Sequence, residues 1–183
     1  SDDLRAHVDI DGQRYHTSRA AIDYDHLAYQ ILQPPARVRA VAVELATRGT
    51  RLGYLPGAGD DVAGCLEQMG YAVTTLTGAD LTPEKLAGLD AVVIGVRAFN
   101  ERRDLAAALP GLFAWVEAGG TVVAQYNRPN GLATPQLGPF PLSIAGPAPA
   151  LRVTDETAPI TLLEPAHPAL TRPNRIGPAD WAG

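Results

Sequence analysis

The run DAVVIGVRAFN, residues 90–100, constrains the fold of this chain more than any other segment. An almost unbroken apolar strand ends there in a cation, an aromatic ring and an amide, which are Arg97, Phe99 and Asn100. Strands that are buried on both faces of a parallel sheet have such continuous apolar sequences, and their carboxyl ends open into the crevice where ligands bind. The run therefore predicts a parallel α/β sheet with polar side chains at its carboxyl edge.

A second run, GTVVAQYNRPNG at residues 120–131, repeats this pattern. A buried strand is expected from Thr121 to Ala124, and the polar side chains that follow it are Gln125, Tyr126 and Asn127. Neighbouring parallel strands end at the same edge of a sheet, so both runs are expected to contribute to one ligand site. The sequence leaves open the alternative that Arg97 and Asn127 only tie down loop carbonyl groups.

The chain from Arg51 onward alternates short strands with helices, which is typical of a doubly wound sheet with short connections. The expected strands are residues 51–55, 72–76, 90–96 and 121–124, and the expected helices are residues 62–71, 82–89 and 104–118. Thr82 has the side chain of a good helix N-cap, and Pro83 suits the first helical position. These elements predict an α/β fold with a doubly wound, mostly parallel sheet.

Residues 1–46 have a different pattern. Apolar and polar residues alternate around Asp11-Gly12, which predicts a short β-hairpin. We therefore expect residues 1–46 to be a β-rich connector, or the tail of a preceding β domain, and residues 47–183 to be the α/β domain. A late edge strand is expected within residues 152–165, and the domain is expected to be truncated at its carboxyl terminus.

The composition argues against several classes of function. The 183 residues carry a formal net charge of −5, which provides no electrostatic footprint for nucleic acid or for anionic membranes. The apolar runs are far shorter than the roughly 20 residues that span a bilayer, and the amino terminus shows no signal peptide. We expect neither a nucleic acid nor a membrane as a partner. The single cysteine leaves the cellular compartment undetermined.

The sequence contains no assembled metal or catalytic site. The four histidines are scattered, without the spacing that places two ligands on one helical face. Cys65 is expected on the apolar face of the helix at residues 62–71, as a buried and inert thiol. A GxSxG motif and a P-loop are also missing. No catalytic residue, metal or cofactor is therefore predicted.

The turn PGAGDD, residues 56–61, lies where a dinucleotide-binding protein has its glycine-rich phosphate loop. Val62 replaces the third glycine of that fingerprint, and Asp60 and Asp61 would repel a pyrophosphate. The simpler interpretation is that the two carboxylates cap the following helix. The alternative places Asp60 at the rim of the site, facing a hydroxyl-rich ligand or a cation.

Several segments together resemble the carboxyl-terminal module of bacterial LmbE/PIG-L-type deacetylases, in order and with similar spacing. They are GYLPGAGDDVAGCLEQMGY, DAVVIGVRAFN, GGTVVAQYN, LGPFPLSI, RVTDETAPITLLEPAHPAL and RPNRI, and the likeness covers the chain from about Tyr24 onward. The resemblance implies a class I glutamine amidotransferase-like, or ThuA-like, flavodoxin-type fold. It also implies that a zinc-dependent N-acetyl-sugar deacetylase domain and a β-sandwich domain of the same polypeptide are partners of this module. Residues 1–46 would then be the tail of the sandwich.

This chain departs from both catalytic patterns. In the amidotransferase-like proteins, the strand that corresponds to TVVAQYN leads into a turn with a nucleophilic cysteine. The matching position here is Tyr126, whose phenol is a poor nucleophile at neutral pH. Residues 166–168, AHP, copy the opening of the deacetylase zinc motif AHPDDE, but Ala169 and Leu170 replace its two aspartates, so the zinc has no site. The fragment alone is not expected to hydrolyse amides.

Three functions are compatible with the sequence. The first is a non-catalytic accessory module of a deacetylase, which binds glycan or docks the catalytic domain through the crevice at the strand ends. Its expected ligand-binding residues are Arg97, Asn100, Tyr126, Asn127 and Asp60. The second is a hydrolase or isomerase of a carbohydrate-related substrate, with Asp60 as base and Tyr126 as acid. The third is a purely structural spacer, which gains support if backbone carbonyl groups saturate Arg97. The resemblance alone implies a location outside the cytoplasm.

Overall fold

A computed structural model of the chain describes two kinds of architecture. The residues it describes are 2–40, 42, 44–144, 153, 155 and 157–181. The backbone divides into two units, Ser1–Glu44 and Leu45–Gly183. The first unit contains antiparallel strand pairs, and the second contains a parallel sheet with helices.

The amino-terminal unit consists of two-stranded antiparallel sheets. Its strands are β1 (Asp2–Arg5) paired with β6 (Arg37–Ala40), β2 (Val8–Ile10) paired with β3 (Gln13–Tyr15), and β4 (Ala20–Ile22) paired with β5 (Gln30–Leu32). Asp11 and Gly12 connect β2 to β3 with φ angles of 50° and 80°. Two successive positive φ angles are typical of the two-residue turns whose twist matches a hairpin. The hairpin predicted at Asp11-Gly12 is therefore confirmed.

The strand pairs of this unit separate apolar from charged side chains without burying the apolar ones. Leu4 on β1 lies opposite Val38 on β6, while Arg37, on the other face, forms an ion pair with Asp3 at 3.6 Å. Leu4 is 58% exposed and Val38 is 62% exposed. No residue described in this unit is fully buried, and the half-buried ones are Ile22, Ala36 and Ala40. The described part of the unit therefore has no apolar core of its own.

The second unit is built on a four-stranded sheet in which all neighbouring strands are parallel. Its strands are β7 (Arg51–Leu55), β8 (Ala72–Thr75), β9 (Ala91–Ile94) and β10 (Val122–Ala124), in the spatial order β10-β9-β7-β8. The four predicted strands of this unit are thus confirmed, as is the α/β class. The strand order reverses beside β7, because β8 lies on one side of it and β9 and β10 lie on the other.

The helices of this unit begin and end at residues that the sequence marks. They are α1 (Val62–Gln68), α2 (Pro83–Leu86), α3 (Ala98–Glu101), α4 (Leu105–Glu117) and α5 (Pro168–Thr171). Thr82 caps α2, because its side-chain Oγ1 accepts a hydrogen bond from the backbone N–H of Lys85 at 3.4 Å. Helix α4 continues through Pro110 and stops before Gly119, which has a φ of 105°. The predicted cap and the predicted stop are both confirmed.

The apolar core of the second unit joins β7 and β9 to α2 and α4. Alternate strand residues and one stripe of α4 supply it, as the strand and helix periods require. Among its most deeply buried side chains are Leu55, Leu86, Val92, Ile94, Leu105, Leu109 and Leu112. The spacing of apolar residues in α4 predicts one buried stripe, made of Leu105, Leu109, Leu112, Phe113 and Val116. The structure buries the three leucines and Phe113 and half-buries Val116, and Trp115 joins them with 8% of its surface exposed.

The burial predicted for α1 is wrong. Cys65 is exposed and Met69 is 41% exposed, whereas Val62 and Leu66 are half-buried. Helix α1 packs on β8, which is the last strand of the sheet, so only part of the helix has a strand beneath it. Cys65 is therefore an accessible thiol and not a buried structural one.

The late strand predicted within residues 152–165 is absent from the described part of that segment. The residues described there, which are 153, 155 and 157–165, form no strand. Pro159 and Pro165 have no backbone N–H, so neither can donate to a neighbouring strand. The alternation of apolar and polar residues in the described part of this segment therefore does not produce a strand that pairs with a neighbour.

Candidate functional site

Three loops meet at the carboxyl edge of the parallel sheet. They are residues 56–61 after β7, residues 95–97 after β9 and residues 125–128 after β10. Backbone N–H groups join them: Ala58 donates to the carbonyl oxygen of Val96 at 2.8 Å, and Arg97 donates to that of Tyr126 at 2.7 Å. Because the loops hold one another, the backbone of the candidate site is fixed without a ligand.

Gly57 allows the closest approach between two of these loops. A Cβ atom at Gly57 would lie 2.0 Å from the carbonyl oxygen of Val96, so another residue fits only if a backbone moves. The close packing of the two loops therefore explains why a glycine occupies position 57, and a phosphate ligand is not needed to explain it.

Asp60 connects the first loop to the second. Its carboxylate accepts hydrogen bonds from the backbone N–H groups of Val62 and Val96, each at 3.1 Å, and from the hydroxyl of Tyr54. Partial burial acts to raise the pKa of Asp60, but the three hydrogen bonds outweigh it, so the pKa lies below its ordinary value. Asp60 is thus an ionised loop anchor. Its neighbour Asp61, expected as a second cap, makes no capping hydrogen bond through its side chain.

Tyr54 belongs to this edge, although the sequence pattern did not single it out. It lies on β7 with 4% of its surface exposed, and burial, together with the hydrogen bond to Asp60, raises the pKa of its phenol. The phenol that reaches Asp60 is therefore Tyr54. The hydrolase or isomerase hypothesis needs Asp60 and Tyr126 within hydrogen-bonding reach of one substrate position, whereas both carboxylate oxygens of Asp60 already accept hydrogen bonds from groups of the chain. The sequence feature that could have identified Tyr54 is an aromatic residue with a hydroxyl group in an apolar strand, just before a loop with two aspartates.

Arg97 has a backbone conformation that is rare for a residue with a side chain. Its φ of 58° and ψ of 21° are left-handed, and it forms the sharp turn between β9 and α3. Its Nη2 atom donates a hydrogen bond to the carboxylate of Glu101, one helical turn further on, and 28% of the Arg97 side chain is exposed. Its partner is thus a carboxylate rather than the backbone carbonyl groups that a purely structural spacer would require.

The sharp turn at Arg97 has the strand–turn–helix arrangement that presents a nucleophile in many hydrolases. The resemblance had placed the nucleophile position at Tyr126 instead. Residues 125–144, which follow β10, contain no helix, so this arrangement occurs after β9 and not after β10. The residue at the turn is an arginine, and a permanently charged guanidinium has no nucleophilic atom.

The two predicted asparagines hold loops together. Asn127 is buried, and its amide accepts a hydrogen bond from the backbone N–H of Phe99 at 3.1 Å and donates one to the carbonyl oxygen of Gln125 at 2.8 Å. Asn100 accepts from the N–H of Arg128 at 2.9 Å and donates to backbone carbonyl groups of the same loop. The tie-down role left open for Asn127 is therefore the one that the structure supports, and Asn100 shares it.

Tyr126 differs from the other predicted site residues because its side chain makes no hydrogen bond that stabilises the described structure. Its ring is 66% exposed, and its phenol makes no hydrogen bond to the residues that the structure describes. Only its backbone is held, through the carbonyl oxygen that accepts from Arg97. Nearby, Nε of Arg97 and Nε2 of Gln125 are buried donors without a partner in the described region. The ends of β9 and β10 thus keep unused hydrogen-bonding capacity.

Basic side chains at this edge hold carboxylates of the same chain. Besides the pair of Arg97 with Glu101, Nη2 of Arg102 lies 2.6 Å from Oδ2 of Asp104. Arg102 also donates from Nη1 to the carbonyl oxygen of Pro56 at 3.3 Å, which brings its charge to the loop after β7. The hydrogen bonds from Arg102 and from the N–H of Gly78 lower the pKa of Asp104, although burial opposes them.

The chain was compared with family models, with curated proteins and with solved structures. None of them matches. The resemblance to the deacetylase-associated module therefore stays a prediction that rests on the quoted motifs.

The other candidate positions do not assemble into a site. His167 is exposed, and its Nδ1 accepts a hydrogen bond from the backbone N–H of Ala169 at 3.2 Å, so it caps α5. Within the described ranges, no group of three His, Cys, Asp or Glu side chains is arranged to hold a metal ion. In the same ranges, no helix has the length and apolar character needed to cross a membrane.

A separate groove of about 630 Å³ lies among residues 157–181, away from the sheet edge. Its lining is mostly apolar and includes Ile160, Leu162, Leu170, Ile176 and Trp181. Ligand sites usually combine an apolar wall with several converging polar groups that orient the ligand. The carboxyl edge of the sheet has more polar side chains than this groove, whose lining includes Thr157 and Arg175, so it is the better candidate.

Proposed function

We propose that this chain is a non-catalytic accessory module of the kind that follows LmbE/PIG-L-type N-acetyl-sugar deacetylase domains, and that it binds glycan. The observation that carries the proposal is the exposed ring of Tyr126 on a fixed backbone. Aromatic side chains combine a flat apolar face with a polar tip, which suits the C–H face and the hydroxyl groups of a sugar. The ring stands at the edge where open α/β sheets bind ligands.

The proposal includes a flavodoxin-like fold for residues 47–183. Its support is the strand order β10-β9-β7-β8, in which the first strand of the sheet lies between the second and the third. That order corresponds to 2-1-3-4 when the strands are numbered along the chain, as in the flavodoxin-like arrangement. Ligands of such sheets lie outside the carboxyl ends of the strands next to the reversal, which here are β7 and β9.

The absence of catalysis is proposed from the chemistry of two residues. Arg97 stands at the sharp turn after β9, and its guanidinium cannot attack a substrate. Asp60 already accepts three hydrogen bonds, and its lowered pKa makes its carboxylate a weak base at neutral pH. Neither residue therefore supplies a nucleophile or an effective general base, and this supports a non-catalytic role.

A purely structural spacer explains the site less well. The amides of Asn100 and Asn127 stabilise loops, but the exposed ring of Tyr126 does not. A left-handed arginine is also strained, by about 1–3 kcal/mol. Strain of this kind occurs mostly at functional positions, so Arg97 favours a recognition role over that of a spacer.

The test is to titrate the 183-residue chain with chitotetraose, a neutral N-acetylglucosamine oligomer, and to follow binding by calorimetry. Tyr126→Ala is expected to weaken binding at least fivefold, about 1 kcal/mol, because the stacking surface is lost. The circular dichroism of the variant should equal that of the original chain, since the ring makes no contact that the fold needs.

Tyr24→Ala is the matched control, because Tyr24 is similarly exposed, at 61%, but belongs to the amino-terminal unit. It should bind chitotetraose as the original chain does. If the original chain shows no binding up to about 10 mM, a concentration that detects even very weak complexes, the glycan proposal fails. The exposed ring would then be assigned to docking of another domain.

A further inference from the structure

We propose that the glycan bound at this edge is neutral, and that acidic glycans are disfavoured. This inference rests on the proposed glycan-binding function. It concerns the strand-end surface, which we define as residues 56–61, 95–104 and 125–130. The observation behind it is the way in which charged side chains of this surface pair with one another.

The strand-end surface contains equal numbers of cations and anions. Its cations are Arg97, Arg102, Arg103 and Arg128, and its anions are Asp60, Asp61, Glu101 and Asp104. A surface with balanced charges has no net field to attract or steer an anion. Recognition of acidic polymers normally relies on an excess of basic groups, and here the two arginines without an ion pair, Arg103 and Arg128, are offset by Asp60 and Asp61.

Two of the four arginines on this surface already hold carboxylates, whereas Arg103 and Arg128 form no ion pair with the residues that the structure describes. Arg97 is paired with Glu101, and Arg102 is paired with Asp104. A carboxylate of an acidic glycan could pair with Arg97 or Arg102 only by displacing Glu101 or Asp104, and replacing one carboxylate by another brings little net free energy. The displaced carboxylate would also remain close to the ligand and repel it.

The remaining acidic groups add to this repulsion. Asp60 and Asp61 are exposed at the loop after β7, and the hydrogen bonds that lower the pKa of Asp60 keep it ionised at neutral pH. The loops after β7 and β9 are joined through Asp60, so its negative charge lies between them. An acidic sugar entering the strand-end surface would meet this charge.

A neutral sugar makes use of the same ion pairs. Its hydroxyl groups both donate and accept hydrogen bonds, so they match a surface that presents a guanidinium beside a carboxylate. The pair of Arg97 with Glu101 is partly exposed, with 28% of the arginine side chain and 45% of the glutamate side chain accessible. The backbone bond from Arg97 to Tyr126 places this pair next to the exposed ring.

The experiment compares chitotetraose with tetragalacturonic acid on the 183-residue chain, at about 20 mM and about 300 mM NaCl, which differ strongly in charge screening. The neutral oligomer is expected to bind at least tenfold more tightly, with a Kd that changes less than about twofold between the two salt concentrations. Glu101→Gln removes the carboxylate that occupies Arg97. It is expected to strengthen binding of tetragalacturonic acid at least fivefold, at low salt only, and so to reduce the preference for chitotetraose.

Glu117→Gln is the matched control, because it makes the same change of charge on the last residue of α4, outside the strand-end surface. It should alter neither affinity. Preferential binding of tetragalacturonic acid by the original chain, lost in Tyr126→Ala, would overturn the inference while supporting the proposed function. Binding of neither oligomer would overturn the proposed function and this inference with it.

Discussion

Replacing Tyr54 by phenylalanine tests the role given to the bond between Tyr54 and Asp60. The ring of Tyr54 is 4% exposed, so phenylalanine fills the same space and leaves no cavity. The change removes a single oxygen atom. Asp60 then keeps its two bonds from the N–H groups of Val62 and Val96 and loses the one from the hydroxyl.

The expected loss of stability follows from the kind of hydrogen bond that is removed. A hydrogen bond to a charged group contributes about 1.5–3 kcal/mol, but Asp60 is exposed enough for water to replace part of it. We therefore expect Tyr54→Phe to lower the free energy of unfolding by about 1–2 kcal/mol. Tyr71→Phe is the control, because Tyr71 is half-buried and its hydroxyl has no hydrogen bond within the described structure. It should cost less than about 0.5 kcal/mol.

The pH dependence distinguishes this hydrogen bond from a packing effect. The pKa of Asp60 is lowered in the folded state, so its contribution to stability is present above the ordinary carboxyl pKa, near about 4, and is lost as pH falls through the folded pKa. The stability difference between the original chain and Tyr54→Phe should therefore be constant near neutral pH and shrink below about pH 4.

At alkaline pH, the ionisation of the Tyr54 phenol determines how the stability changes with pH. The raised pKa of Tyr54 contributes stability that is present below the ordinary tyrosine pKa, near about 10, and is lost as pH rises through the folded value. The original chain should lose this stability, and Tyr54→Phe should not. The assay is urea unfolding followed by the fluorescence of the buried Trp115, from about pH 3 to about pH 11. A difference that stays the same at every pH would refute the assignment.

Two further changes test the loops beneath the site. Asn127→Ala should lower the free energy of unfolding by about 1–3 kcal/mol, because two backbone groups lose their partner; Asn130→Ala, an exposed neighbour, should stay within about 0.5 kcal/mol in the same urea titration. Gly57→Ala should cost at least about 2 kcal/mol, because its Cβ atom would overlap the carbonyl oxygen of Val96. Gly88→Ala is its control, since the nearest atom to a Cβ there is 3.6 Å away. Equal effects at Gly57 and Gly88 would contradict the close approach of the loops.

Much of the second unit follows from local patterns in the sequence. The alternation of strands with helices, the cap at Thr82 and the leucine stripe of α4 all appear where the residues predict them. Such features depend on the helix and strand periods and on a few neighbouring residues, so a single sequence contains the information. The same holds for Asp11-Gly12, whose hairpin needs only the residues of one turn and its flanks.

The candidate site was predicted only in part. The strand ends were located correctly, but their side chains do not all have the expected roles: Asn127 is buried and joins loops, and Tyr54, which was not predicted, donates a hydrogen bond to Asp60. Asp60 and Tyr54 are six residues apart, yet their bond depends on how the loop after β7 folds back over the strand. Such a contact has no periodic pattern that a sequence could display.

The amino-acid sequence by itself therefore determined the order and type of the elements in the α/β unit and the sheet edge at which polar groups gather. Only the tertiary structure decided which of those groups stabilise loops and which stay accessible. It also decided that Cys65 is exposed, because α1 lies on the last strand of the sheet. The physical reason is the range of the interactions: turns, caps and periodic faces arise between near neighbours, whereas burial and hydrogen-bond partners depend on segments that are distant in the chain.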